Sequence, residues 1–144
     1  MTLKIRQAKI NDNDQIFDLV KRFTPSFIPL KDDFDKSFGK LLNNANSVIL
    51  VVCIDETIIG YLLGFEHLTF YANGRVGWVE EIMVNNKYRR KGIGSNLMNE
   101  FEKWIGQKNG KLVGLATRRA ADFYKAIGYN ESAIYFRKII NFNK

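Results

Sequence analysis

The chain of 144 residues is short of what holds small proteins together covalently or through metal: it has one cysteine, one histidine and two prolines. A single cysteine excludes an internal disulfide, and no cluster of His and Cys stands at metal-ligand spacing, so no metal is expected. Cys53 lies inside the apolar run "VILVVCI" and reads as a small buried hydrophobe, not as a nucleophile. His67, near the end of an expected strand, is assigned no role. No apolar run approaches the roughly 18 residues that span a bilayer. The opening "MTLKIRQAKINDND" has no apolar segment of the kind a secretion signal carries. The expectation is a soluble cytoplasmic protein that does not engage a membrane. Repeats, low-complexity tracts and Pro/Ser-rich linkers are missing too, so residues 1–144 read as one domain.

What is present is core-forming material and positive charge. Hydrophobic residues make up 46% of the chain and aromatics 13%, enough to bury a core without covalent help. Lys and Arg number 22 against 15 Asp and Glu, a net charge of +7. That balance favours an anionic partner, whether nucleic acid, acidic membrane or a phosphorylated small molecule, without ranking them.

Periodicity orders the elements. "LKIRQA" (Leu3–Ala8) reads as a first strand. A helix follows from Asp12 or Asn13 as N-cap, with Ile16, Leu19, Val20 and Phe23 on one stripe, and stops at Pro25 and Pro29. "DDFDKSFGKLLNN" carries Phe34, Phe38, Leu41 and Leu42 at helical spacing. "SVILVVCID" and "TIIGYLLGFEH" form a hairpin around Asp55–Glu56, and "RVGWVEEIMV" is the next strand. "SNLMNEFEKWIGQKNG" is an amphipathic helix closed by Gly106 or Gly110; "KLVGLAT", "RRAADFYKAIG" and "SAIYFRKII" add a strand, a helix and a last strand. The order β-α-α-β-β-β-α-β-α-β makes a mixed α/β sheet whose centre is parallel, since a strand–helix–strand unit spans Arg75 to Thr117.

One segment combines charge with glycine. "NNKYRRKGIGSN" (Asn85–Asn96) sets Arg89, Arg90 and Lys91 against Gly92 and Gly94 where a strand passes into a helix. The first turn of a helix leaves N–H groups unpaired and carries the positive end of the dipole. Glycines let an anion approach those groups closely. The P-loop pattern is absent, and Leu97 stands where a dinucleotide fingerprint needs its third glycine. The segment alone fits an anion cradle, a nucleic-acid patch or a solvated turn.

A wider context narrows that choice. "IMVNNKYRRKGIGSNLM" resembles the first motif of the GNAT superfamily of acyl-CoA-dependent N-acetyltransferases: Gln or Arg, two residues, Gly, one residue, Gly or Ala. Arg89, Gly92 and Gly94 match it. "AADFYKAIGY" is similar to the family's second hallmark, and the resemblance covers the whole chain in the right element order. It implies a GNAT-like mixed sheet of six or seven strands with four helices, the parallel strands splayed apart, and an enzyme moving an acetyl group from acetyl-CoA to a primary amine.

Site residues follow from the resemblance by position. Arg89, Arg90, Lys91, Gly92, Ile93, Gly94 and Ser95 would bind the pyrophosphate of acetyl-CoA. Ile82, Met83 and Val84 would pair their backbone with the pantetheine arm, a backbone N–H near Ile82 polarising the thioester carbonyl as a tetrahedral intermediate forms. Tyr124 would protonate the departing thiolate. Many relatives have an Asn seven residues before this Tyr; here it is Thr117, which the resemblance makes a cofactor contact of shorter reach.

Glu80 and Glu81 are adjacent in "VEEIMV", and strict strand alternation would send them to opposite faces. A bulge would instead aim both at the acceptor, Glu80 as base and Glu81 as binder of the cationic amine. The bland reading pairs both with Lys or Arg. The expected acceptor is a small cationic amine. A protein or peptide amine, or a CoA-binding sensor without catalysis, is the alternative. Nucleic acid is not an expected partner, whereas a homodimer is compatible with the sequence.

Overall fold

The computed structural model describes residues 2–22 and 26–141. Phe23 and Pro25, assigned above to the first helix and its stop, lie outside the described residues. Five strands form one sheet in the order β1-β2-β3-β4-β5: β1 Leu3–Gln7, β2 Ser47–Ile54, β3 Thr57–Thr69, β4 Gly74–Val84 and β5 Val113–Leu115. β1 to β4 run antiparallel to their neighbours, and only the β4–β5 pair is parallel. The four expected helices are α1 Asn13–Val20, α2 Lys31–Leu42, α3 Ile93–Gln107 and α4 Ala121–Ala126.

β2 is buried on both faces, which is why its sequence is an unbroken apolar run. Val48, Leu50 and Val52 face α3 through Leu97, Met98 and Phe101. Ile49, Val51 and Cys53 face α1 and α2 through Ile16, Leu19 and Phe38. The β2–β3 turn is the two residues Asp55–Glu56, with Asp55 in the left-handed region at φ 54°. α3 runs through Gly106 and closes at Asn109, φ 61°, while the Gly110 N–H reaches Ile105 C=O at 2.9 Å. Asn109, not either glycine, makes the left-handed stop.

Two expectations about the sheet are corrected. It has five strands among the described residues, not six or seven, because "SAIYFRKII" pairs with nothing. Ile134, Phe136 and Ile140 are each more than 80% exposed. Strand propensity records a fit to a pleated, half-buried surface, and the three residues of β5 offer too short an edge for it. Arg137 instead donates to Ser26 Oγ at 2.8 Å. With no sixth strand, the parallel pair stands at the edge of the sheet and not at its centre.

Candidate active site

The β4–β5 ladder pairs Gly77 with Val113, Trp78 with Gly114 and Val79 with Leu115, and ends there. β4 continues to Val84, so from Glu80 onward it is laddered to β3 alone. The free edge of Ile82, Met83 and Val84 lies beside the opening between the two strands, where an extended ligand arm can add to the sheet. Ile82 and Val84 pack on the α3 side, and Met83 on the α1–α2 side.

A bulge sits where the strands part. Leu63 pairs with Glu81 and Gly64 with Val79, which leaves Glu80 without a cross-strand partner. Val79 and Ile82 both pack toward α3, so the two carboxylates between them share the α1–α2 side. Glu80 is exposed, whereas Glu81 is half-buried. The Tyr61 hydroxyl donates to Glu81 Oε1 at 2.7 Å. Burial raises the Glu81 pKa above the ordinary carboxylate value; the Tyr61 hydrogen bond opposes that rise, and the charge of Glu80 adds to it. Among the described residues the hydrogen-bond partner of Glu81 is Tyr61, not the Lys or Arg of the bland reading.

On the other face, the glycine segment is exposed at the start of α3. Arg90 at φ 66° and Gly92 at φ 77° take left-handed backbone, and nothing lies within 4 Å of where a Cβ on Gly92 would stand. The first intrahelical bond of α3 is Asn96 N–H to Gly92 C=O at 3.0 Å. The amides of Ile93, Gly94 and Ser95 therefore have no intrahelical acceptor, and no side chain caps them. Ile93 is a core residue and offers only its backbone. Arg90 and Lys91 project into solvent, while Arg89 turns back, its Nε donating to Val84 C=O at 3.3 Å. Free amides, two cations and open space at Gly92 fit a diphosphate.

Tyr124 joins the cradle on the α3 side. Its ring packs in that core, edge-on to Phe123 at 4.9 Å and to Tyr129 at 5.9 Å between centroids. Tyr129 is anchored to α3 by its hydroxyl, which donates to Glu102 at 2.6 Å. Burial raises the Tyr124 pKa, so the phenol keeps its proton at neutral pH. Thr117 is already engaged: its Oγ1 accepts the Ala120 N–H at 3.0 Å and shapes the turn into α4. Tyr61 was not legible as a site residue, because its pairing with Glu81 depends on a register that strand patterns do not reveal. Phe123 was missed likewise; its ring lies 3.3 Å from where a Cβ on Gly94 would stand.

Residues 13–129 match the acetyltransferase (GNAT) family. An uncharacterised N-acetyltransferase of Archaeoglobus fulgidus is 27% identical over 134 residues, covering 85% of this chain and 89% of that protein. The crystal structure of glucosamine-6-phosphate N-acetyltransferase from Arabidopsis thaliana superposes with a TM-score of 0.86 at 21% identity, over 98% of this chain and 100% of that one. An aminoglycoside N-acetyltransferase solved with the bisubstrate analogue CoA-S-monomethyl-acetylneamine superposes with a TM-score of 0.82 at 19% identity, over 97% and 100%. The same enzyme has also been solved with CoA. At these identities the two structures are likenesses of fold.

Proposed function

The chain belongs to the acetyltransferase (GNAT) family, and from that premise we propose that it transfers the acetyl group of acetyl-CoA to a primary amine of a small molecule, with Glu81 as base and Tyr124 as acid. One arrangement carries this reading. Tyr124 and the start of α3 lie on one side of the sheet and Glu81 beside Tyr61 on the other, and the β4–β5 ladder ends just before Glu80 and Glu81, which supports an opening between them.

The cosubstrate supplies the acetyl group as a thioester. The amides of Ile93, Gly94 and Ser95, with Arg90 and Lys91, hold its diphosphate, and the free edge of Ile82–Val84 orients its arm. An amine reaching the opening from the α1–α2 side arrives as an ammonium ion. Glu81, whose raised pKa makes it a stronger base than an ordinary carboxylate, takes one proton and frees the nitrogen lone pair for attack on the acetyl carbon. As the carbon–sulfur bond breaks, Tyr124 gives its proton to the sulfur and the thiol leaves; the nitrogen sheds its second proton, which restores the phenol, and the amide is neutral. Glu80, exposed beside Glu81, adds negative potential that draws the cation in. These roles reverse the sequence assignment of the pair, and burial supports the reversal: Glu81 is inside and Glu80 outside.

The test is thiol release from acetyl-CoA across a panel of primary amines, with thermal shift by acetyl-CoA, CoA and duplex DNA at two salt concentrations. Stabilisation by the two CoA species and acceptor-dependent thiol release are expected. Stabilisation by DNA alone would overturn the reading.

A further inference from the structure

The carboxylate opens into an unusual room for a polar substrate. Between α1, α2 and the sheet is a cavity of about 330 Å³ that has Glu81 and Tyr61 in its wall, at the lower end of the range for small-ligand pockets. Apart from these two, only Asp33 and Ser37 among its lining residues are polar. Phe34 and Phe38 stack along α2 with centroids 5.4 Å apart. The lining continues outward through Ile28 and Leu30, which are 84% and 51% exposed, so the mouth is apolar as well. An apolar surface left in water beside a cavity marks a site of contact.

On the acetyltransferase reading above, we propose that the acceptor is a primary amine on an aromatic or aliphatic body, its chain seated between α1 and α2 and its nitrogen at Glu81. Three observations favour it over a sugar-like acceptor. Among the described residues no Lys or Arg lines the cavity, so a sugar phosphate would meet no counter-charge from them. Tyr61, the phenol in the wall, is already committed to Glu81. A body rich in hydroxyls would therefore find free partners only at Asp33 and Ser37 among the described lining residues, and would surrender more water than it replaces. Glu80 and Glu81 together, with Asp33 the one further carboxylate of the described lining, suit one ammonium ion better than several spread over a large polycation.

Calorimetry on the protein saturated with CoA tests this without relying on turnover. Affinity should rise about fourfold per methylene from butylamine to hexylamine, as burial of each CH₂ requires. Phenethylamine should bind at least as tightly as hexylamine, and kanamycin and glucosamine 6-phosphate more weakly than either. Ser37, exposed on α2 at the cavity wall, gives the second arm. Ser37→Trp fills the room and should weaken phenethylamine at least tenfold, with the midpoint of thermal unfolding and the acetyl-CoA affinity unchanged. Affinity flat with chain length, or phenethylamine insensitive to Ser37→Trp, would overturn the proposal. Ser37-sensitive binding with no thiol release from any amine would leave the acceptor site standing and sink the acetyltransferase reading instead. Thiol release with kanamycin or glucosamine 6-phosphate but not with phenethylamine would sink the acceptor class alone.

Discussion

Tyr61 and Glu81 reach one another diagonally across β3 and β4, hydroxyl to carboxylate at 2.7 Å, because the bulge at Glu80 turns Glu81 onto the face where Tyr61 already lies. Burial lifts the carboxyl pKa, and the hydroxyl holds part of that rise back. The phenol itself is pushed far above its usual range, by burial first and then by the charge of Glu81, and stays protonated as a donor.

Removing that donor should therefore move the base upward. In Tyr61→Phe the ring packing survives, and the carboxylate loses a hydrogen bond worth about 1.5–3 kcal/mol. The acid limb of the pH profile of kcat/KM should shift to higher pH, with acetyl-CoA affinity unaltered. An unmoved limb would mean that Glu81 is not the titrating base.

Glu81→Gln tests the base directly. The rate should fall about 10²–10⁴-fold, and the acid limb should vanish. Stability should change in the other direction. The folded pKa of Glu81 is raised, so between its unfolded and folded values the native state binds the extra proton. Its contribution to stability is present in full below the unfolded pKa and is lost as pH rises through the folded one. The Gln variant should accordingly unfold at a higher temperature than the parent at neutral pH, and the gap should close as the solution is acidified. A gap that stays constant with pH would show that Glu81 carries no such shift.

Asp12 works with the opposite sign. Arg6 donates two hydrogen bonds to its carboxylate, at 2.7 and 3.0 Å, and the Lys9 amide donates a third at 2.7 Å. These hold its pKa below the usual value, the Arg6 bonds foremost. The stability they give is present above the unfolded pKa and lost as pH falls through the folded one. Asp12→Ala should cost about 2 kcal/mol at neutral pH, read by urea unfolding, and much less in strong acid. Equal losses at both pH values would reduce Asp12 to packing.

Much of this was legible because the elements that place the site announce themselves locally. The double glycine after three cations, the stripe Leu97–Met98–Phe101–Ile105 and the run "SVILVVCI" each fix one element without reference to another. What stayed hidden depends on pairing. Tyr61 looks like one more residue of an apolar strand until the register sets it by Glu81, and the cavity exists only once α1 is laid across β3 and α2 across β2. "SAIYFRKII" failed for the converse reason: its composition favours a strand, but a strand requires a partner edge.

The cradle gives the last prediction, and its two glycines should fail differently. Gly92 has left-handed backbone and open space around it, so Gly92→Ala meets no neighbour inside the protein. It forces an L-residue into a conformation that costs about 1–2 kcal/mol and narrows the anion's lane. Affinity for acetyl-CoA should drop about tenfold, which corresponds to about 1.4 kcal/mol, with kcat at saturation preserved. Gly94 lies beneath the Phe123 ring, 3.3 Å from the nearest atom a Cβ would meet, and Phe123 stands edge-on to Tyr124. The branched side chain of Gly94→Val must displace that ring and, with it, the acid. Both cosubstrate affinity and kcat should therefore fall, and the kcat loss should be absent in a Gly94→Val, Tyr124→Phe double variant compared with Tyr124→Phe alone. Additive losses in that cycle would show that Gly94 acts only through phosphate binding and that the contact with Phe123 transmits nothing to the acid.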